Sequence, residues 1–452
     1  MIKNKPEKLH IISLGCSKNL IDSEVMAGLL CKSGLQLVDQ SDAADIVIVN
    51  TCAFINPAKE EALEEILMLV EAKKKSTRKL QIVVAGCLAQ RYGKELFDQI
   101  PEVDLFIGTG EVGNIASHVN KLNQDQARRA AVITQPNFLM TAGHERVLSS
   151  TAVSTFLKIS DGCSNNCSYC AIPSIRGKAR SRKPDDILKE AENLAARGIK
   201  EIIITGQDTT AYGRDLKIKP RLSDILTDMA KIKSIKWIRL LYAHPAHITR
   251  EVLESIATNK KMCRYIDLPI QHIDDDILMA MGRKVTSSQI KVIIDQARKS
   301  MPDVALRTSL IVGFPGETKK RFERLLNFVR EIKFDHLGVF TYSREEGTKA
   351  AEFKSQISEA EKERRRETIM CEQIAISNAI NKSLIGTTQE VLIEEKSDRA
   401  DFAFMGRCRR QAPEIDGITY IKSGQNKIGK IVKCKITNAD DYDLFAEIID
   451  SP

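Results

Sequence analysis

The chain has 452 residues, 43% hydrophobic and 28% charged, which fits a soluble globular protein too long for a single core. No stretch reaches the roughly 18 apolar residues needed to span a bilayer, and the apolar run 11–14 is too short for a signal peptide. The expected location is therefore the cytoplasm. Net charge is +8, from 68 basic and 60 acidic residues, an excess that permits an RNA partner without demanding one.

In chain order, short apolar runs at 10–14, 45–49 and 81–85 alternate with segments of helical spacing at 22–33 and 58–75. Alternating strands and helices predict a doubly wound parallel sheet over residues 1–120. Residues 121–150 are polar and mixed and read as a linker. Strands are expected next at 155–160, 201–205, 237–242, 265–268, 305–312 and 336–341, with helices between them, as at 184–197 and 319–332. Six βα units over 151–355 predict a partial barrel, an open relative of the eightfold one. Residues 356–383 form a charged helix with Arg364-Arg365-Arg366, read as a solvated linker within 356–386. From 387 to 452, short runs at 391–394, 419–421, 430–436 and 444–448 are separated by Gly, Asn and Asp and predict a small all-β barrel. The whole is an α/β chain with a β module at its end.

The eleven cysteines carry the chemistry. In a reducing compartment spaced cysteines are more often metal ligands than disulfides. Cys163, Cys167 and Cys170 are spaced C-x3-C-x2-C on the loop after the first barrel strand. Three thiolates so close can hold three corners of a 4Fe-4S cube and leave one iron open. A zinc loop needs four ligands, and no nearby Cys or His supplies the fourth. Cys16, Cys52 and Cys87 are far apart in sequence, yet each follows an apolar strand. In a parallel sheet those three ends share one edge, where open sheets bind ligands, so these thiols are expected to hold a second cluster. Cys31, Cys263, Cys371, Cys408 and Cys434 share no placement and read as ordinary thiols. Gly206-Gln207-Asp208, residues 267–272 and residues 309–318 also fall at strand ends, where a barrel keeps its site. No catalytic acid or base is identifiable.

The Cys163–Cys167–Cys170 spacing, with Tyr169 before the third cysteine, resembles the radical S-adenosylmethionine superfamily. That resemblance implies a cofactor chelated to the open iron and reductive formation of a 5′-deoxyadenosyl radical. It would place cofactor-binding residues at Tyr169, Gly206, Gln207, Arg307 and Gly313. The two cysteine sets on a doubly wound domain followed by a partial barrel resemble the methylthiotransferases, and the terminal β region is similar to their TRAM domain. The family implies two 4Fe-4S clusters and S-adenosyl-L-methionine as cofactors. Sulfur would be delivered at the N-terminal cluster, and an electron donor such as flavodoxin or ferredoxin would be needed.

Segments 15–24, 172–177, 342–348 and 412–417 resemble the RimO branch, which acts on an aspartate β-carbon of small-subunit ribosomal protein S12. The MiaB branch, which acts on transfer-RNA adenosine, is the alternative. From 387 to 452 there are twelve acidic and ten basic residues, a net charge of −2. That balance suits a basic ribosomal protein better than an RNA backbone, unless Arg407, Arg409 and Arg410 form a local basic patch. Two positions depart from the family pattern: Gly282 stands where relatives commonly carry Arg, and Ala53 where many carry Gly.

Overall fold

The computed structural model describes residues 6–123, 129–148, 153–422 and 427–449. Its first part runs β1 (Lys8–Ser13), α1 (Ser17–Lys32), β2 (Gln36–Leu37), β3 (Ile46–Thr51), α2 (Asn56–Lys75), β4 (Gln81–Gly86), α3 (Cys87–Gln99), β5 (Leu105–Ile107), α4 (Ile115–Asn123) and β6 (Ala130–Val132). The strands form one sheet in the order β2-β1-β3-β4-β5-β6, parallel throughout. β3 and β4 are buried along their whole length, which is why they read as unbroken apolar runs. Strand order reverses between β1 and β3, opening a crevice at their carboxyl ends. Within 121–150, read as a linker, β6 adds the edge strand and Arg146 is buried between Glu24 and Glu190.

The second part runs β7 (Ser154–Lys158), β8 (Ser160–Asp161), α5 (Ile172–Arg176), β9 (Arg180–Ser181), α6 (Pro184–Ala196), β10 (Glu201–Thr205), α7 (Leu222–Ala230) and β11 (Trp237–Leu240). It continues with α8 (Arg250–Thr258), β12 (Tyr265–Asp267), α9 (Asp275–Ala280), α10 (Ser287–Ser300), β13 (Ala305–Val312), α11 (Lys319–Ile332), β14 (His336–Thr341) and α12 (Glu359–Ser383). Two parallel trios, β7-β10-β11 and β12-β13-β14, are joined by a bridge between Ile238 and Met262. The result is an arc of six strands, open between β7 and β14. Outward residues pack the surrounding helices. Inward Phe156, Ile203, Trp237, Tyr265 and Ala305 share a core with α1 and one face of the first sheet.

α12 is not a solvated linker. It packs on α11 and β14 and buries Lys362, Arg365, Ile369 and Gln373. Lys362 Nζ donates to the Tyr342 carbonyl at 2.8 Å, and Arg365 pairs with Glu317 at 3.0 Å.

The last part is a closed barrel of β15 (Thr388–Lys396), β16 (Phe404–Cys408), β17 (Thr419–Ile421), β18 (Ile431–Ala439) and β19 (Leu444–Ile448), in the order β15-β16-β17-β19-β18. β16 was not expected from the sequence. The module docks on residues that open the strands of the arc. Arg407 pairs with Glu201 and Glu394 at 2.6 Å each, and Glu201 with Arg239 at 2.8 Å. Tyr265 donates its hydroxyl to Asp416 at 2.6 Å. Arg409 pairs with Glu390 and Arg410 with Asp335. All three arginines of the candidate basic patch are thus engaged by carboxylates.

Candidate functional site

Cys16, Cys52 and Cys87 stand at the carboxyl ends of β1, β3 and β4, on both sides of the strand-order reversal. Cys16 caps α1, and Cys87 is the first residue of α3, so both thiols lie at helix N-termini, where a thiolate is favoured. Gly15 makes the approach possible: its φ is +92°, and a Cβ there would lie 2.6 Å from Cys52 Cβ. Ala53 needs no such freedom, since its φ is not positive. Burial pushes the Cys52 thiol up to about 12, with Cys87 and Cys16 adding to the rise. Burial also raises Cys87, against Arg176. At Cys16 burial is outweighed by Lys18 and Arg176, and the thiol falls below its ordinary value. All eleven cysteines are free. Three mutually opposed thiols beside two cations are a donor set that a positively charged iron cluster would convert to thiolates.

Cys163, Cys167 and Cys170 lie on the loop between β8 and α5. Backbone bonds fix that loop: Cys163 N–H to the Gly177 carbonyl at 3.0 Å, Ser168 N–H to that of Met281 at 2.9 Å, and Ala350 N–H to that of Ser168 at 2.9 Å. Gly282 has φ +72°, and a Cβ there would lie 2.8 Å from the Asn166 carbonyl oxygen. A side chain at 282 would displace the cysteine loop in this chain, which accounts for glycine there. Arg283 donates from Nη1 to Cys167 Sγ at 3.7 Å and to the Tyr169 hydroxyl at 3.4 Å. Burial pushes Cys170 up to about 12, with Cys167 and Cys163 contributing. Tyr169 packs on Ile277, Met281, Phe314, Tyr342 and Ala350, an apolar wall beside the thiols.

The two sets meet across a polar seam. Asp22 on α1 accepts from Lys158 Nζ at 2.5 Å and Arg176 Nη1 at 2.9 Å, and Asp161 pairs with the same two cations at 2.8 and 3.1 Å. Arg176 Nη2 also donates to Asn19 Oδ1 at 2.5 Å. Asn19 in turn donates to the Leu14 and Thr51 carbonyls, tying the ends of β1 and β3 together. The Ser17 hydroxyl lies 3.1 Å from that of Thr205 at the end of β10. A second bridge joins Glu345 to Lys59 at 2.9 Å and Arg91 at 2.6 Å. The sequence reading missed Asn19, Asp22, Lys158, Arg176 and Arg283 as site residues. Asn19, Asp22 and Arg176 lie inside two of the segments that resemble the RimO branch, which was the one signal available.

The other expected residues divide. Gly206 is buried beside Ser160, and Gln207 donates to Asp161 at 3.2 Å. Asp208 binds Asn165 at 2.7 Å and His247 Nδ1 at 2.6 Å. Burial would raise Asp208, but His247 and His244 bring it down to about 2. Arg307 bonds to Asp267 at 2.9 Å and faces Asp416. Gly313 packs on Lys362, and His272 pairs with Glu317 at 3.4 Å. Asp208, His244 and His247 are spaced like metal ligands. However, His244 Nδ1 accepts from Ala246 N–H at 3.1 Å, so its Nε2 carries the proton and donates rather than ligates.

The buried polar atoms without a partner among the described residues include Gln207 Oε1, His244 Nε2 and Arg283 Nε. One acceptor and two donors match the ammonium and carboxylate of an amino-acid moiety such as that of S-adenosylmethionine.

Three family models match the chain: the Radical SAM superfamily over 157–329, the uncharacterized protein family UPF0004 over 8–108 and the TRAM domain over 385–449. The ribosomal protein uS12 methylthiotransferase RimO of Syntrophus aciditrophicus is 54% identical over 98% of this chain and 99% of its own. That of Geobacter sulfurreducens is 46% identical over 99% and 100%. The chain belongs to the RimO methylthiotransferase family. As a family member it is a radical S-adenosylmethionine enzyme with an iron–sulfur cluster. Among solved structures, the radical S-adenosylmethionine methyltransferase TsrM of Kitasatospora setae, with cobalamin and a [4Fe-4S] cluster bound, covers 85% of this chain and 81% of its own at TM-score 0.53 and 13% identity. It shares the fold. No helix among the described residues of this methylthiotransferase is long and apolar enough to cross a membrane.

Proposed function

We propose that this chain methylthiolates the β-carbon of an aspartate in small-subunit ribosomal protein S12. The observation that carries the reading is near-full-length identity of 45–54% to enzymes named for that protein. Cys16, Cys52 and Cys87 hold one 4Fe-4S cluster at the sulfur-delivery site. Cys163, Cys167 and Cys170 hold a second, with Tyr169, Gly206 and Gln207 around its S-adenosylmethionine. When bound, the cofactors supply a radical that removes hydrogen from the substrate carbon, a sulfur atom to take its place and a methyl group to cap that sulfur.

The chain's own residues do the positioning. Asp22, Asp161, Lys158 and Arg176 hold the N-terminal sheet edge against the barrel mouth. The apolar wall beneath Tyr169 keeps water from the radical site. The working units are residues 1–120, 151–355 and 387–452. A flavodoxin or ferredoxin in the cytoplasm supplies electrons.

Engagement of Arg407, Arg409 and Arg410 by acids supports a protein substrate over transfer RNA, because RNA affinity rests on free phosphate-binding cations. Intact mass spectrometry of S12 from cells with and without the active gene tests the reading. A gene-dependent methylthio increment is expected. An unmodified S12 together with a gene-dependent methylthio nucleoside in transfer RNA would refute it. Separately, the anaerobically loaded wild type is expected to hold about eight iron atoms, and variants lacking either cysteine set about four. Variants in Cys16, Cys52 or Cys87 are expected to cleave S-adenosylmethionine without inserting sulfur.

A further inference from the structure

Most buried cations among the described residues are matched with carboxylates. Lys158 and Arg176 share Asp22 and Asp161, Arg146 has Glu24 and Glu190, and Arg239 and Arg407 share Glu201. Arg283 departs from this pattern, bonding instead to Cys167, Tyr169 and the Pro269 carbonyl, and so does Lys18. Lys18 is 7% exposed, and no carboxylate among the described residues pairs with it. The nearest acid on its own helix, Asp22, is taken by Lys158 and Arg176. A buried ammonium without a carboxylate partner costs free energy. The structure offsets part of that cost by setting Lys18 Nζ 3.4 Å from the centroid of the Tyr242 ring.

That ring is deliberately placed. Tyr242 follows β11 with φ +58°, a backbone region unfavourable for an aromatic residue. The conformation is held by three bonds: Tyr242 N–H to Asp267 Oδ2 at 2.9 Å, and the Thr209 N–H and hydroxyl to the Tyr242 carbonyl at 3.1 Å each. The neighbouring Ser17 touches Thr205, so Lys18 stands where the first turn of α1 meets the strand ends of the barrel. It is two residues from Cys16. Strained backbone, a ring platform and a buried cation with no carboxylate partner, facing only the Cys16 thiol and the Tyr242 ring, at the junction of the two cysteine sets together describe a seat for an anion.

The anion follows from the proposed function, on which this inference rests. The carboxylate of an aspartate is one bond from its β-carbon. A carboxylate held at the junction therefore brings the carbon to be modified between the site of hydrogen removal and the site of sulfur delivery. We propose that Lys18 receives the side-chain carboxylate of the substrate aspartate, with Tyr242 as its positioning residue. The contact selects aspartate over asparagine, the neutral isostere, because only the former supplies a carboxylate.

The test uses the loaded full-length enzyme with purified S12 and with S12 whose target aspartate is changed to asparagine. Wild type is expected to prefer the aspartate protein by on the order of 100-fold in kcat/KM, the scale of a buried charge pair. Lys18→Gln should lose that preference to within about 3-fold, with a raised KM for the aspartate protein and iron content equal to wild type. Lys18→Arg, which keeps the charge, should retain most of the preference. A Lys18→Gln enzyme that still discriminates overturns the proposal while the methylthiolation reading stands. A Lys18→Gln enzyme with reduced iron assigns Lys18 to the Cys16 site instead and also overturns it. A wild type that modifies neither protein overturns both this proposal and the function it rests on.

Discussion

Replacing Asp22 with Asn tests the seam between the N-terminal sheet and the barrel. Asp22 and Asp161 together neutralise Lys158 and Arg176, all four at 5% side-chain exposure or less. The quartet is charge-balanced, and the substitution leaves one buried positive charge uncompensated. Removing one partner of a buried pair typically costs about 3–5 kcal/mol. At 4 kcal/mol, in a unit of this size, the melting midpoint falls by roughly 8–16 °C. Lys158→Met alone should cost a similar amount by leaving the opposite excess. The double variant Asp22→Asn/Lys158→Met restores balance around the remaining Arg176–Asp161 pair, so its loss should fall short of the sum of the singles by about 2 kcal/mol or more. Thermal unfolding of the four proteins, followed by calorimetry in one buffer, reads all three values. An Asp22→Asn midpoint within about 2 °C of wild type, or a double variant that loses the full sum, refutes the reasoning.

The remaining predictions concern other junctions. Burial, with Arg283 adding, pushes the His244 imidazole down to about 3 from an ordinary 6.5. The folded state therefore favours the neutral ring, and its contribution is present above pH 6.5 and lost as pH falls through the window from 6.5 toward 3. His244→Asn in the apoprotein should flatten the pH dependence of stability in that window, measured by urea unfolding at stepped pH. An unchanged slope would contradict the assignment. Arg407→Ala removes the cation shared by Glu201 and Glu394 and should cost about 3 kcal/mol at the docking face of the β module; limited proteolysis should then release that module sooner than from wild type. Gly15→Ala places a methyl 2.6 Å from Cys52 Cβ at a φ of +92°, and iron per loaded chain should fall by about half. A full iron complement in that variant would mean the strand ends do not need to approach so closely.

What the sequence disclosed was local. β1, β3 and β4 are apolar runs that end in a turn and a cysteine, so their shared edge could be reasoned from parallel-sheet geometry without coordinates. The C-x3-C-x2-C loop needed only its spacing. What stayed hidden depended on distant partners. The first turn of α1 carries Ser17, Lys18 and Asn19, and helical spacing was recognised only from residue 22. Those side chains are buried because Thr205, Tyr242 and Arg176, some 160–220 residues away in sequence, receive them. α12 was misjudged for the same reason: Lys362 and Arg365 look like a solvated charge run until Tyr342 and Glu317 are known to meet them. β6 and β16 are short, and β6 lies in polar surroundings, so neither stood out by periodicity. The glycine at 282 looked like a departure from the family pattern, and its backbone explains it.

The placement of buried charge carries a last step of synthesis. Replacing a buried ion pair by well-packed apolar residues is often neutral or stabilising, so pairs concentrated at junctions call for a reason other than stability. Here three buried networks cross a boundary: Asp22–Lys158–Arg176 and Glu24–Arg146–Glu190 join the first sheet to the barrel, and Glu201–Arg407 joins the barrel to the β module. An apolar seam tolerates sliding by a fraction of an ångström, because dispersion contacts have little directionality. A bidentate guanidinium between two carboxylates does not. A reaction that must hand sulfur from one cysteine set to a carbon activated at the other needs fixed register more than added stability. Converting the Asp22–Lys158 pair to Leu and Met is accordingly expected to leave the melting midpoint near wild type. In the same variant, cleavage of S-adenosylmethionine should come uncoupled from sulfur insertion, seen as a rise in 5′-deoxyadenosine formed per methylthiolated S12. If the ratio of those two products stayed at its wild-type value, register would not be what the buried charges provide.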